Sequence, residues 1–246
     1  MKSYFQIIAG MTILTSLAGT AQASLLDRGN GMIYDDVLNI TWMQDANLAA
    51  TEQFGITTLN EGEGRYSSRG YGISMFSKNK GSMTWNTAND WIASMNASNG
   101  GKGYKSYNDW RIWGATNAAI SCYGPNCSDS ELGHLFYSDL GGQYGSSLPE
   151  TNLPDLALFN NIQDSKYWSG DSYDLWSGGV AWAFWTEDGV QIRTNKTEQY
   201  YVWAVRAGDV TDITPTGVAP VPVPAALWLF GSSLLGLATC QRRRIS

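Results

Sequence analysis

From Ala225 to Cys240 the chain carries no charged residue, and after Gln241 three arginines follow, Arg242, Arg243 and Arg244. With the Val221-Pro222-Val223-Pro224 lead-in, the apolar stretch approaches the roughly 20 residues that a helix needs to cross a bilayer. Moving an arginine cluster across a bilayer is costly, so the pattern predicts residues 225–246 as a transmembrane tail with the arginines in the cytoplasm. The body of the chain then lies on the far side. At the other end Lys2 precedes an apolar run from Ile7 to Ala18 and the triplet Ala21-Gln22-Ala23, the small-x-small pattern read by signal peptidase. Residues 1–23 read as a signal peptide, with an N-terminal anchor as the alternative. Both ends are addresses, and about residues 24–213 remain to fold, enough for one domain with a real core.

That body is acidic. The four basic residues of the ends (Lys2, Arg242, Arg243, Arg244) leave 12 of the chain's 16 against 22 acids, a net charge of −10. A surface so acidic repels phosphate backbones and argues against nucleic acid as a partner. Charged residues make up 15% and aromatics 13%, with 11 Trp and 27 Gly. Such a balance suits a loop-rich extracellular fold better than a cytosolic helical enzyme.

Residues 31–34 and 38–42 read as two short strands around a turn at Asp35-Asp36. Glu52 to Ser82 is rich in Gly, Ser and Asn and reads as a long loop. An amphipathic helix follows, with Trp85, Ala88, Ile92 and Met95 on one face, Asn86, Asn89 and Asp90 on the other, and Asn99-Gly100-Gly101 as its stop. Ser128-Asp129-Ser130-Glu131 has the capping-box pattern of a second helix with an apolar stripe of Leu132, Leu135 and Phe136. Residues 180–186 and 190–193, joined by Glu187-Asp188-Gly189, form a hairpin signal, and Tyr200 to Arg206 supplies a last strand. Strands, two helices, then strands predict an α+β fold with an antiparallel sheet.

Cys122 and Cys127 flank the turn-forming Tyr123-Gly124-Pro125-Asn126, and an oxidising compartment would join them. A metal pair is the rival, but the chain has one histidine, His134, and no second cysteine pair. Neither a Gly-x-Ser-x-Gly elbow nor a phosphate-cradling loop accompanies His134, so the chain is expected not to be an enzyme. Carboxylates are abundant, and sequence alone does not say which of them pair.

Two resemblances sharpen these expectations. The chain end, with Val221, Pro222, Val223, Pro224 and Ala225, a Gly-punctuated apolar span and an arginine tail, resembles the PEP-CTERM class of bacterial sorting signals in its Val-Pro-x-Pro-Ala variant, with Val223 in place of the glutamate that names the class. The resemblance implies an exosortase-like membrane protease as a partner and delivery to the cell surface or exterior. Residues 214–224 are then the Pro-rich linker and sorting motif.

Gly31 to Trp42, Thr84 to Met95, Asn108-Asp109-Trp110-Arg111, Glu131 to Gly141, Tyr167-Trp168-Ser169-Gly170 and Trp203 to Val210 resemble, in order, the Lcl-type C-terminal domain. One departure is Ile112-Trp113, where the family has Leu-Pro. The resemblance implies a C-type-lectin-like fold related to formylglycine-generating enzymes, with short antiparallel strands, two main helices and long loops, and a surface binding or adhesion role.

Asp109, Trp110, Arg111, Trp168, Ser169 and Arg206 stand at the conspicuous motif positions. They have two readings: tryptophans that fill the core, with Arg111 and Arg206 paired to buried carboxylates such as Asp109 to lock loops together, or an exposed binding face. Candidate ligand contacts are Asp171, Tyr173 and Trp176, in the Gly/Ser-rich loop after Tyr-Trp-Ser. The expected partner is carbohydrate or an extracellular matrix polymer. No cofactor is expected, although acidic loops leave calcium conceivable without a complete EF-hand spacing. A structural biofilm-matrix component without a discrete ligand site is the competing class, and an extracellular hydrolase or oxidase comes third.

Overall fold

The computed structural model describes residues 25–57, 81–115, 122–150, 153–173 and 178–210. The signal-peptide reading, the middle of the Glu52–Ser82 loop, Trp176, the sorting motif Val221–Ala225 and the apolar tail lie outside the described residues. Among the described residues no helix is long and apolar enough to cross a membrane.

Among the described residues two five-stranded sheets form the frame. The first holds β1 (Leu25–Asp27), β2 (Met32–Asp35), β3 (Ile40–Met43), β10 (Ala204–Ala207) and β4 (Arg111–Ile112), in that spatial order and antiparallel throughout. The second runs β5 (Gly124–Pro125), β8 (Val190–Asn195), β7 (Val180–Trp185), β6 (Lys166–Tyr173) and β9 (Tyr201–Val202). It is antiparallel except for the parallel pair β6–β9. The result is a mixed α/β domain with two helices and antiparallel sheets.

The first expected hairpin forms as read, with Ile33 opposite Trp42. Asn39 takes the left-handed conformation its turn requires, φ 53°, which asparagine tolerates. Asp35 closes the turn by accepting the amides of Val37 and Leu38 at 3.0 and 2.8 Å. The β7–β8 hairpin also forms, Trp185 opposite Val190. Its turn needs Gly189 twice over: φ is 75°, and a Cβ would stand 2.6 Å from the Tyr137 hydroxyl.

Helix α1 (Trp85–Gly101) starts on Thr84, whose hydroxyl accepts the Thr87 amide at 3.3 Å. The regular helix stops where expected, since Ser98 leaves helical geometry and Asn99 and Gly100 are left-handed. Ala88, Ile92 and Met95 are buried as the spacing predicts, joined by Thr87 and Trp91, while Trp85 is only half-buried.

The second helix departs from expectation. Helix α2 (Glu131–His134) is one turn that continues as a π-turn over Leu135–Asp139. Ser130 rather than Ser128 caps it, accepting the Gly133 amide at 3.1 Å. No capping box forms, because the Glu131 carboxylate is drawn outward to Arg111 and to the Gly114 amide. Gly133 is required here, since a Cβ would lie 1.8 Å from the Cys127 carbonyl oxygen.

The single closing strand expected over Tyr200–Arg206 is two strands in different sheets, β9 and β10. Trp203 sits at the handover, fully buried, with its indole N–H donating to the Met43 carbonyl at 2.7 Å. Its ring meets Trp42, Phe159 and Tyr167 at centroid distances of 5.3, 5.2 and 5.6 Å. The chain crosses from the second sheet to the first at that residue, and the ring fills the core where the two strands part.

Candidate ligand-binding face

The motif positions sort into core and clamps. Trp110 and Trp168 are 2% and 0% exposed. The Trp110 indole donates to the Tyr104 carbonyl at 3.1 Å and the Trp168 indole to that of Met83 at 2.8 Å. Asn96 of α1 binds the Trp110 backbone in both directions, at 2.8 and 3.0 Å. Ser169 is buried and its hydroxyl accepts the Asp171 amide at 3.0 Å. These residues build the frame.

The arginines make bidentate pairs, the geometry in which guanidinium and carboxylate fit best. Arg206 holds Asp109 at 2.9 and 3.1 Å, and Arg28 holds Asp209 at 2.9 and 2.6 Å. Asp109 is not the buried carboxylate expected, since its side chain is 48% exposed. Arg111 does not pair with Asp109 but with Glu131, at 2.7 and 2.5 Å, and that hydrogen bonding pushes the guanidinium above its ordinary value. The Arg111–Glu131 clamp fastens β4 to α2.

Asp171 and Tyr173 lie on strand β6 rather than in a loop. The strand bulges there: Trp168 faces Ala183, yet Ser172 faces Ala181. Within the bulge the half-buried Asp171 carboxylate accepts the Ala115 amide at 2.6 Å and so tethers the chain beyond β4. Tyr173 packs edge-on against Trp182 at 5.7 Å.

Around Tyr173 the second sheet gathers residues that motif spacing did not single out. The Arg193 guanidinium lies over three rings: Tyr173 at 4.4 Å, Tyr123 at 4.6 Å and Trp182 at 5.3 Å. Trp182 and Arg193 are direct cross-strand partners on β7 and β8, which places their side chains on one face. The hairpin read from sequence misses this by one residue: a three-residue turn at 187–189 sets 182 opposite 194, whereas the observed four-residue turn, with Trp185 opposite Val190, sets 182 opposite 193. Only the register, a tertiary fact until the turn forms, turns that spacing into a contact.

Tyr123 is 59% exposed, and the cysteine loop holds it there. Cys122 and Cys127 form the expected disulfide, with Cα atoms 5.4 Å apart. Gln191 of β8, buried, donates to the Cys122 carbonyl at 2.8 Å, and β5 inside the loop pairs with β8. The bridge thus sets Tyr123 over Arg193.

Other cations of this sheet also lie over rings. Lys166 stands 4.1 Å from Trp185 and 5.2 Å from Tyr200, and Lys196 4.0 Å from Trp85 while donating to Ser172 at 2.6 Å. Among the described residues no carboxylate stands within ion-pair distance of Arg193 or Lys166. His134 faces Asp139 at 3.3 Å. Among the described residues no group of three or more His, Cys, Asp or Glu is arranged to hold a metal ion.

With this geometry in hand, one family comparison is decisive: the sequence pattern of the Lcl C-terminal domain matches residues 31–206. The chain belongs to the Lcl C-terminal domain family. The match runs from the start of the β2–β3 hairpin to Arg206 of the Asp109 clamp, so all the motif positions above fall within it. No curated protein and no solved structure matches the chain.

Proposed function

We propose that this chain is an exported binding or adhesion domain of the bacterial cell surface or biofilm matrix, recognising carbohydrate or a matrix polymer through the aromatic face of the second sheet. The observation that carries this is Arg193 set among Tyr123, Tyr173 and Trp182, with Tyr123 exposed. A tyrosine ring offers an apolar face to the C–H side of a sugar, and its hydroxyl a polar edge. A guanidinium covered by rings on its faces keeps N–H donors at its edge for ligand oxygens. Tyr173, one of the ligand contacts expected from sequence, belongs to this face through β6, whereas Asp171 is turned to the Ala115 amide, and Trp176 follows them in the chain.

The domain is read as non-catalytic, with His134 used against Asp139 rather than beside a nucleophile. A C-type-lectin-like architecture, removal of residues 1–23 and exosortase-type handling of Val221–Ala225 complete the proposal, on the sequence features given above. A structural matrix role without a discrete site is the alternative.

Binding of the purified protein to a panel of polysaccharides tests the proposal. Saturable, dose-dependent retention that Tyr123→Ala abolishes without lowering the melting temperature is expected. Absence of saturable binding, with and without calcium, favours the structural role. Deleting the chain from Pro220 onward is expected to move the protein from membrane or surface into soluble fractions, and unchanged fractionation refutes the sorting tail.

A further inference from the structure

A second cluster, away from the aromatic face, has an incomplete set of hydrogen bonds. Asp35, 1% exposed, spends one carboxylate oxygen on the Val37 and Leu38 amides, while its Oδ2 is buried without a donor. Asp139 ends the π-turn after α2, and its side chain is 1% exposed with both oxygens buried and without a donor. His134, on α2, brings its Nε2 to 3.3 Å from Asp139 Oδ1. Three carboxylate oxygens and one imidazole nitrogen are thus buried without a donor or acceptor of their own, and the Asp35 carboxyl lies against that of Asp139. Each such group has left water without gaining a partner, which costs stability.

We propose that Asp35 and Asp139 share one proton, and that this proton is a latch fastening the β2–β3 turn to the turn after α2, released as the medium becomes alkaline. One proton completes the network. A protonated Asp139 donates to Asp35 Oδ2, and the imidazole N–H donates to the other Asp139 oxygen, so every atom of the cluster gains a partner. Two ionised carboxylates in a buried contact have no such solution.

The surroundings act in the same direction. Asp36 in the β2–β3 turn and Asp155 in the short helix Pro154–Leu158 add negative potential at Asp139, and His134 is the basic group that faces it. Burial first, then the contact with Asp35, pushes the Asp139 carboxyl up to about 8. The folded form therefore keeps a proton that the unfolded chain has lost. Its stabilisation is complete at pH below the ordinary carboxylate value and disappears as pH rises through about 8.

The test is thermal melting of the full chain in detergent from about pH 6 to about pH 9.5, for the wild type and for Asp139→Asn. The amide of asparagine donates to Asp35 but has no proton to lose in this range. The wild type is expected to lose several degrees of melting temperature over the interval, and the variant to hold nearly constant. Equal slopes in the two proteins, or a flat wild-type profile, overturn the latch. Should Asp139→Asn fail to fold, the carboxyl carbon of Asp139 in the wild type supplies the measurement by NMR. A midpoint near 8 supports the shared proton, and a carboxyl already ionised at about pH 6 overturns it. A chelator that lowers the wild-type melting temperature, with calcium or zinc restoring it, also overturns the latch, because a cation and not a proton would then join the two acids.

Discussion

The two sheets use their cations differently. At the first sheet Arg28, Arg111 and Arg206 each grip a carboxylate with both ends of the fork, even though Arg28 and Arg206 also lie over the rings of Tyr34 and Tyr107. On the second, Arg193 and Lys166 lie over aromatic rings, and among the described residues no carboxylate pairs with them. A bidentate pair commits the edge of its arginine to one carboxylate and fastens two distant parts of the chain, as Arg206 does across 97 positions to Asp109. A cation over a ring keeps its donors, because the contact uses the face of the group and not its N–H edge. The first arrangement suits a frame and the second a surface that meets other molecules.

That contrast can be broken in graded steps. The largest effect is expected where the sheets meet: Trp203→Ala should cost about 3–5 kcal/mol and leave little folded protein, read by urea denaturation. Survival of a cooperative fold near wild-type stability would mean that the handover between β9 and β10 does not depend on this ring. Replacing Cys122 and Cys127 by serine should cost about 2 kcal/mol, since the bridge closes a short loop. The same change should weaken polysaccharide binding at temperatures where the protein stays folded, because Tyr123 loses its support. Unaltered binding would separate the disulfide from the site.

Within the frame, Arg111→Gln should cost about 1 kcal/mol, at the modest end because both partners are partly exposed. Arg193→Gln is the counterpart, with a stability change within about 0.5 kcal/mol and a marked loss of binding. The pair of variants discriminates directly: if Arg193→Gln destabilises as much as Arg111→Gln and binding is unchanged, the two sheets do not differ in kind.

Several elements are legible in the sequence itself. The β2–β3 and β7–β8 hairpins follow from short β-rich runs joined by Asp and Gly turns, and the end of α1 from Asn99-Gly100, because these signals are local and conformational. The Cys122–Cys127 pairing is equally local, five residues apart around a turn. Trp110 and Trp168 were open to a core reading on size alone, and both are buried. The second helix is shorter than its sequence pattern suggests, because Glu131 has a stronger partner in Arg111, 20 positions away, than in the capping pattern at Ser128. The candidate site is only partly legible: Tyr173 stands out in the sequence, but Tyr123, Trp182 and Arg193 carry no motif of their own.

What the sequence by itself determined is whatever depends on neighbours along the chain: the turns, the short strands, the first helix and its stop, the local disulfide, the acidic and tryptophan-rich body, and the motif positions that mark the family. Tertiary structure alone decided which carboxylate each arginine holds, which sheet each half of the last segment joins, and that Asp35 meets Asp139. The physical reason is range. Backbone conformation and turn chemistry act over a few residues, whereas ion-pair choice and burial are settled by what packing brings together from positions about a hundred residues apart, as Arg206 and Asp109 are.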